Sequence, residues 1–277
     1  MQIQLAFSTC PNDTFIFEAL ANNRFSDVNY SFNYALADIQ ELNRLALDAQ
    51  VDMVKISYAL YPMISENYQL LTAGSALGRG VGPLVVSKRK IYPDEVEYAK
   101  VAIPGETTTA NLLFTLAFPK AENKQVYLFS DIEEAVLQNE ADVGVLIHEG
   151  RFTFEQKGLK KIIDLGDFWE RTSSHPIPLG GIAVRRSLPE KVKHELNNLT
   201  RQSVEFAFAN TKVVMPFVKK YAQEMDEQVM QKHISLYVNS FTINLGEKGK
   251  QAVTDLLNRS ASFEQFKQYV LAEPVFV

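Results

Sequence analysis

The chain has 277 residues, of which 46% are hydrophobic and 22% are charged. This length and composition predict a globular protein with one large domain or two lobes, and they argue against long disordered segments. The formal net charge of −5 argues against a general nucleic-acid binder, which needs a basic face, but it does not exclude a small anionic ligand.

The N-terminal stretch and the cysteine count indicate where in the cell the protein is found. MQIQLAFSTCPND has no basic region before its short apolar run, so we expect no secretory signal. No run reaches the roughly 18–20 apolar residues that span a bilayer. Cys10 is the only cysteine, which excludes an internal disulfide and a multi-cysteine zinc site. We therefore expect a cytoplasmic protein.

The first part of the chain alternates strand and helix patterns. Strands are predicted at 3–9, 28–36 and 51–57, separated by the helical patterns TFIFEALAN and DIQELNRLALDAQ. Asp38 is predicted to cap the second helix, with Glu41 three residues later in a capping box. The order β-α-β-α-β predicts a mostly parallel sheet.

A second unit of the same kind follows the glycine-rich connection GSALGRGVGP. Strands are predicted at 100–104, 124–130 and 141–147, and a helix is predicted after GETTT. Ser130 and Glu133 are predicted to form a capping box for the helix DIEEAVLQNE. Because the last strands of the two units begin with the similar phrases VDMV and ADVG, we expect a repeated architecture.

Two extended segments, 82–88 and 178–186, bracket this second unit, and helical patterns follow. If the two segments run side by side, the middle of the chain is an inserted lobe. The predicted fold is therefore α/β, a two-lobed clamshell with two mostly parallel sheets, made of residues 1–86 with 187–277 and of residues 87–186. A ligand cleft is expected between the lobes, at the carboxyl ends of the parallel strands.

His148 directly follows the strand ADVGVLI, at its carboxyl end. An unperturbed imidazole has a pKa of about 6.5 and can act as a general base near neutral pH. Glu149 and Arg151 are close enough in sequence to tune it, although alternation in an extended chain turns Glu149 away. The alternative is a histidine that only hydrogen-bonds within a loop.

The other histidines are weaker candidates for chemistry. His194 and His233 fall in helical stretches and are expected at the surface or in packing, whereas His175 lies in the extended return segment and could reach the cleft. No pair has the HExxH spacing of a zinc site, so we expect no bound metal.

Polar residues at other predicted strand ends are candidates for ligand binding. Thr107, Thr108 and Thr109 precede an apolar helix, where hydroxyl and backbone N–H groups can hold a carboxylate, although simple N-capping needs only one of them. Lys55 and Ser57 end the strand VDMVKIS, and a lysine there is costly unless it reaches solvent or an anion.

The loop CPNDT joins the first strand to its helix on the same side. Cys10 is a poor nucleophile candidate because proline follows it and no base is near, whereas Asn12 or Asp13 is expected to cap the helix with a possible ligand contact. GRGVGP is not a dinucleotide fingerprint because a strand follows it, and neither a Walker A sequence nor a GxSxG elbow is present.

Five segments in order, STCPNDTFIF, DMVKIS, GETTTA, LIHEGRFTF and HISLYVNSFTINLGEKG, resemble the 1,4-dihydroxy-6-naphthoate synthase family of the futalosine route to menaquinone. The resemblance implies a fold similar to type II periplasmic binding proteins, with no metal and no organic cofactor. It also implies conversion of cyclic dehypoxanthinylfutalosine to 1,4-dihydroxy-6-naphthoate and dihydroxyacetone. The implied catalytic base is His148, and the implied substrate contacts are Lys55, Ile56, Ser57, Thr109 and Ala110.

Three alternatives stay open on the sequence. They are a chorismate dehydratase of the same pathway with a similar two-lobed fold, a non-catalytic cytosolic small-molecule binder, and a cytosolic effector-binding regulator. LIHEGRFTF and the CPND loop favour the synthase over the dehydratase, and no helix-turn-helix pattern supports a regulator. The sequence leaves the oligomeric state open.

Overall fold

A computed structural model describes residues 1–26, 29–148, 150–222, 226–263 and 266–277. Contacts between residues divide the chain into two compact units. The first unit is Met1–Gly78 with Pro178–Val277, and the second is Arg79–Ile177.

Strands and helices alternate along most of the described chain. The strands are β1 (Gln2–Phe7), β2 (Ser31–Leu36), β3 (Met53–Ser57), β4 (Tyr68–Leu70), β5 (Ala76–Gly78), β6 (Leu84–Ser87), β7 (Val101–Ile103), β8 (Lys124–Val126), β9 (Val143–Leu146), β10 (Lys160–Asp164) and β11 (Ile177–Arg185). The helices are α1 (Pro11–Ala21), α2 (Ile39–Leu47), α3 (Tyr61–Ile64), α4 (Thr109–Ala117), α5 (Ile132–Leu137), α6 (Gly150–Thr153), α7 (Leu165–Ser173), α8 (Glu190–Ala209), α9 (Thr211–Tyr221), α10 (Glu227–Tyr237), α11 (Ser240–Ile243) and α12 (Gly246–Ser260).

The sheet of the first unit has the strand order β2-β1-β3-β11-β4, with β5 paired to β11. β1 is parallel to β2 and β3, as the β-α-β-α-β pattern predicts. β11 runs antiparallel to β3 and to β4. The return segment of the chain therefore completes the first sheet as an antiparallel strand, and the sheet is mixed where a mostly parallel one is predicted.

The sheet of the second unit has the order β10-β6-β9-β7-β8. β7 is parallel to β8 and β9, whereas β6 is antiparallel to β9 and β10. Of the two extended segments that bracket the second unit in the sequence, 82–88 contributes β6 to this sheet, whereas 178–186 contributes β11 to the first sheet. The two compact units meet at 78/79 and 177/178, and the limits predicted from the sequence are 86/87 and 186/187.

The two sheets share a local arrangement that explains the similar phrases VDMV and ADVG. In each, the first strand of the β-α-β-α-β pattern lies between the second and the third. The Asp52 carboxylate accepts from the Gln4 N–H at 2.9 Å, and the Asp142 carboxylate accepts from the Lys100 N–H at 2.9 Å. Each aspartate thus ties the start of the third strand to the first strand in the same way.

Helix α1 lies deep in the first unit and is buried along its whole length. It packs against α8, α9 and α10, and Phe17 stacks on Phe7 of β1 with ring centroids 4.6 Å apart. A helix enclosed on all sides holds its first turn in a fixed place, because interiors pack as densely as organic crystals. The polar residues of that turn, Asn12 and Asp13, are therefore firmly held. The prediction that one of them caps the helix is wrong, because the N-cap residue is Cys10.

The cap predicted at Asp38 is confirmed, but the predicted capping box is not formed, because the Glu41 carboxylate pairs with Arg44. Asp38 accepts from the backbone N–H groups of Gln40 at 2.9 Å and Glu41 at 3.2 Å. The predicted Ser130 cap is wrong, because a 3-10 turn at Phe129–Asp131 precedes α5 and makes Asp131 the N-cap residue. The Ser130 hydroxyl instead donates to Asp131.

Substitution of Asp38 by alanine should lower the free energy of unfolding by about 1 kcal/mol, because two N–H groups of the first turn lose their acceptor. Chemical denaturation of the purified protein measures this change. Ser130→Ala is the matched control and should leave the midpoint nearly unchanged. Equal effects of the two substitutions would contradict the assignment of the caps.

None of the helices in the described ranges combines the length and apolar character needed to cross a bilayer.

Candidate functional site

The carboxyl ends of two pairs of parallel strands collect the polar residues singled out from the sequence. β1 lies next to β3 in the first unit, and β7 lies next to β9 in the second. In each sheet the second strand is added on one side of the first strand and the third strand on the other side, so the pair marks a topological switch point. Open α/β sheets bind ligands outside the carboxyl ends of the strands at such a point. These two edges are called the β1/β3 edge and the β7/β9 edge.

A buried cluster centred on Asp13 occupies the β1/β3 edge. The Lys55 ammonium lies 2.8 Å from Asp13 Oδ1, and the Ser8 hydroxyl donates to Oδ2 at 2.7 Å. The Asn12 amide nitrogen also donates to Asp13 Oδ1, at 2.8 Å. We call these four residues and His233, described below, the Asp13 cluster.

The charge of Lys55 is balanced inside the protein. Its exposure is 4% and that of Asp13 is 2%, and buried ions are tolerated only when they are paired and hydrogen-bonded. The sequence predicts that Lys55 reaches solvent or an anion, and the anion present is Asp13. Lys55 also donates to the Gly74 carbonyl at 3.3 Å, so its donors are largely committed within the protein.

Gly74 is required at its position. Its φ is +82°, and a Cβ there would lie 2.0 Å from Cδ1 of Ile182. The backbone thus approaches β11 closely and turns its carbonyl toward Lys55. The next residue, Ser75, pairs with the Tyr58 hydroxyl at 2.8 Å, and burial raises the pKa of that phenol while the bond to Ser75 opposes the shift.

Ser57 and Ile56 are less accessible than the sequence suggests. Ser57 exchanges two hydrogen bonds with Asn43, since its N–H donates to Oδ1 at 3.0 Å and its Oγ accepts from Nδ2 at 3.2 Å. The Ile56 side chain is fully buried. Ile56 pairs with Gly181 of β11, and its backbone is as fully buried as its side chain.

At the β7/β9 edge, the loop after β7 leads into the start of α4. The Thr108 hydroxyl accepts from the Asn111 N–H at 3.2 Å and donates to the Gly105 carbonyl at 2.7 Å. Thr108 is thus the capping threonine, while Thr107 is half-buried and Thr109 is buried at the first position of the helix. The first N–H groups of a helix, here those of Thr109 and Ala110, point out of its start, which favours an anion there.

Hydrogen bonds from Asn111 and Lys124 stabilise the loop before α4. The Asn111 amide donates to the Glu106 carbonyl at 2.8 Å and accepts from the Lys124 ammonium at 3.2 Å. Burial lowers the pKa of Lys124, and the charge of Glu106 opposes that shift. A loop supported in this way presents a preorganised helix start to a ligand.

His148 follows β9 at the same edge. It lies two residues beyond the end of the strand, is half-buried and has φ of +56°. Its ring meets that of Phe129 edge-to-face, with centroids 4.8 Å apart. A left-handed conformation is uncommon for residues other than glycine and is enriched at functional sites.

The predicted neighbours of His148 differ in their roles. Arg151 donates to the Gly82 carbonyl and pairs with Asp164 at 3.0 Å, so its charge is balanced by a carboxylate. Glu149 lies outside the described residues. The prediction that the His148 edge and the Lys55 edge face one cleft stays a prediction.

Among the remaining candidates, His233 is predicted to be a surface or packing residue, but it makes a buried hydrogen bond to Asn12. It is fully buried on α10, its Nε2 lies 2.8 Å from Asn12 Oδ1, and its ring lies 4.6 Å from that of Tyr237. The only signal in the sequence is its position at the head of HISLYVNSF. His194 is exposed and His175 is half-buried, and Cys10 is a buried N-cap residue of α1.

Across the ranges that the structure describes, no three His, Cys, Asp or Glu side chains come together in the manner of a metal site.

Comparison with known proteins agrees with the architecture and shows the family of the chain. A family model described as menaquinone biosynthesis matches residues 3–262. The chain is 42% identical over 265 residues to a Streptomyces coelicolor protein named 1,4-dihydroxy-6-naphtoate synthase, covering 94% of this chain and 93% of the relative. A Thermus thermophilus protein of the same name is 39% identical over 257 residues, covering 92% of both chains.

Comparison with solved structures identifies the fold. A crystal structure of a protein from Archaeoglobus fulgidus has a TM-score of 0.88 at 34% identity, covering 94% of this chain and 96% of that chain. A Candida albicans protein with the generic periplasmic-binding-protein fold has a TM-score of 0.66 at 11% identity, covering 95% and 91%. The fold is thus α/β and similar to that of periplasmic binding proteins, and by its family match and its relatives at 39% and 42% identity the chain belongs to the menaquinone biosynthesis family.

Proposed function

We propose that the chain is a carbon–carbon lyase that converts cyclic dehypoxanthinylfutalosine to 1,4-dihydroxy-6-naphthoate and dihydroxyacetone. The two relatives named 1,4-dihydroxy-6-naphtoate synthase support the product. The observation that carries the assignment to this chain is the half-buried His148 at the carboxyl end of β9, beside the strand that leads into α4.

His148 is the proposed general base. A neutral imidazole removes an acidic proton next to a substrate carbonyl, and the electron pair left behind drives ring opening. Cleavage of a C–C bond then releases dihydroxyacetone, and formation of the aromatic naphthoate ring draws the sequence forward. The proton is taken up by imidazole and returned to the departing fragment, so the reaction consumes no oxidant or reductant.

The start of α4 is the proposed site for the substrate carboxylate. Backbone N–H groups of Thr109 and Ala110, with the hydroxyl of Thr107, supply donors at the positive end of a helix. Lys55 suits a neutral oxygen better than a carboxylate because Asp13 balances its charge. We therefore assign Lys55, Ser57 and Asn12 to uncharged oxygens of the substrate.

Incubation of the purified protein with cyclic dehypoxanthinylfutalosine tests the proposal, with naphthoate and dihydroxyacetone measured by mass spectrometry. Both products should appear in equal amounts, in EDTA and without added cofactor. Parallel incubation with chorismate tests the dehydratase alternative. Turnover of chorismate alone, or tight binding of either compound without turnover, would refute the proposed reaction.

A further inference from the structure

We propose that His233 is a positioning residue that holds Lys55 in place through Asn12 and Asp13, acting as a hydrogen-bond donor at Nε2. The inference rests on the proposed function, in which Lys55 contacts the substrate. Three observations carry it: the direction of the hydrogen bonds, the burial of every member of the Asp13 cluster, and the place of His233 on a separate helix.

The direction of the hydrogen bonds follows from Asp13. A carboxylate in an ion pair accepts hydrogen bonds and donates none. Asn12 must therefore turn its NH2 group toward Asp13 Oδ1, 2.8 Å away, which leaves its carbonyl oxygen facing His233. That oxygen is also only an acceptor, so the His233 Nε2 at 2.8 Å must carry the hydrogen.

Because the cluster is buried, loss of the hydrogen bond between His233 and Asn12 is costly. His233 has no exposed surface, and Asn12 is 6% exposed. Water therefore cannot readily replace a lost donor, and an unsatisfied buried acceptor is strongly disfavoured. Without the imidazole, the Asn12 amide would rotate to find another donor, and its NH2 group would leave Asp13. The counter-ion that fixes the Lys55 ammonium would then lose one of its supports.

The position of His233 shows that the contact is built by tertiary structure. It lies 221 residues from Asn12 in the chain, on α10, which packs against α1. Tyr237, one turn further along α10, packs on the imidazole ring. Two packed helices thus bring the donor to the first turn of α1, where the orientation of Asn12 is decided.

Three substitutions separate positioning from packing. His233→Leu removes the donor, and we expect KM to rise about tenfold with kcat changed less than about threefold, because the loss falls on binding and not on the base. His233→Gln places an amide N–H near the former Nε2 and should restore most of the KM. His233→Asn reaches only the former Nδ1 position and should not restore it.

The hydrogen-bond direction is measured directly by 15N NMR of the histidine side chains, with the His233 signals assigned as those that persist when each of the other three histidines is replaced by asparagine. A hydrogen on Nε2 of His233 supports the inference, and a neutral ring with its hydrogen on Nδ1 overturns it. This measurement needs no turnover and uses the wild-type protein, so it is decisive even where a variant does not fold.

The kinetic outcomes distinguish this inference from the proposed function. Absence of turnover by the wild-type protein would refute the proposed function. Turnover by the wild type with unchanged KM in folded His233→Leu would refute positioning alone. Equal KM values in the glutamine and asparagine variants, or a fall confined to kcat, would also overturn it.

Discussion

Replacement of His148 by asparagine should lower kcat for naphthoate formation by about 10²–10⁴-fold, the usual contribution of one positioned general base. An amide accepts hydrogen bonds but does not take up a proton near neutral pH. Asparagine is the preferred substitute because it tolerates the left-handed conformation, with φ of +56°, better than most residues. The variant thus removes the base with little change in backbone strain.

Steady-state kinetics with cyclic dehypoxanthinylfutalosine measure this effect, and KM should change little because the start of α4 is intact. His194→Asn is the matched control, since His194 is exposed on α8 and belongs to neither edge. Thermal unfolding of both variants confirms that they fold. Turnover within about threefold of wild type in folded His148→Asn would show that another group abstracts the proton.

The β-α-β-α-β units and the strand-end positions of the candidate residues could be predicted from the sequence. Periodicity marks β1, β3, β7 and β9, and parallel pairing brings their carboxyl ends to one edge within each sheet. The antiparallel direction of β6 could not be predicted. Its residues LVVS are all buried, and such an apolar run carries no local mark of its pairing direction.

Contacts between residues far apart in the chain could not be predicted for a similar reason. The sequence indicates that Lys55 needs an anion, but not that Asp13 supplies it from the first turn of α1. His233 fits a helical pattern equally well as a packing residue or as a donor to Asn12. Ser130 matches a capping box locally, yet the 3-10 turn before α5 makes Asp131 the N-cap residue.

Substitution of Asp13 by asparagine should lower the free energy of unfolding by about 3–5 kcal/mol, because removal of one partner leaves the other ion buried and uncompensated. The amide has nearly the shape of the carboxylate, so the loss reflects charge and not a cavity. In this variant the Lys55 ammonium keeps neutral acceptors, such as the Gly74 carbonyl, but loses the counter-ion that Asp13 supplies.

The reverse substitution, Lys55→Met, should cost less. Asp13 keeps the donors from Ser8 and Asn12, and its place in the first turn of α1 lets the helix dipole stabilise its charge. The double variant should be more stable than the sum of the two single effects implies, because neither ion is then left without its partner. Chemical denaturation of all four proteins gives the coupling energy.

Glu41→Gln provides the control for this cycle, because it removes one member of the solvent-exposed pair with Arg44 on α2. Exposed pairs are screened by water, so the change in unfolding free energy should be far smaller than for Asp13→Asn. Additive effects at Asp13 and Lys55, or an Asp13→Asn effect no larger than that of the control, would mean that the buried pair does not hold the β1/β3 edge together.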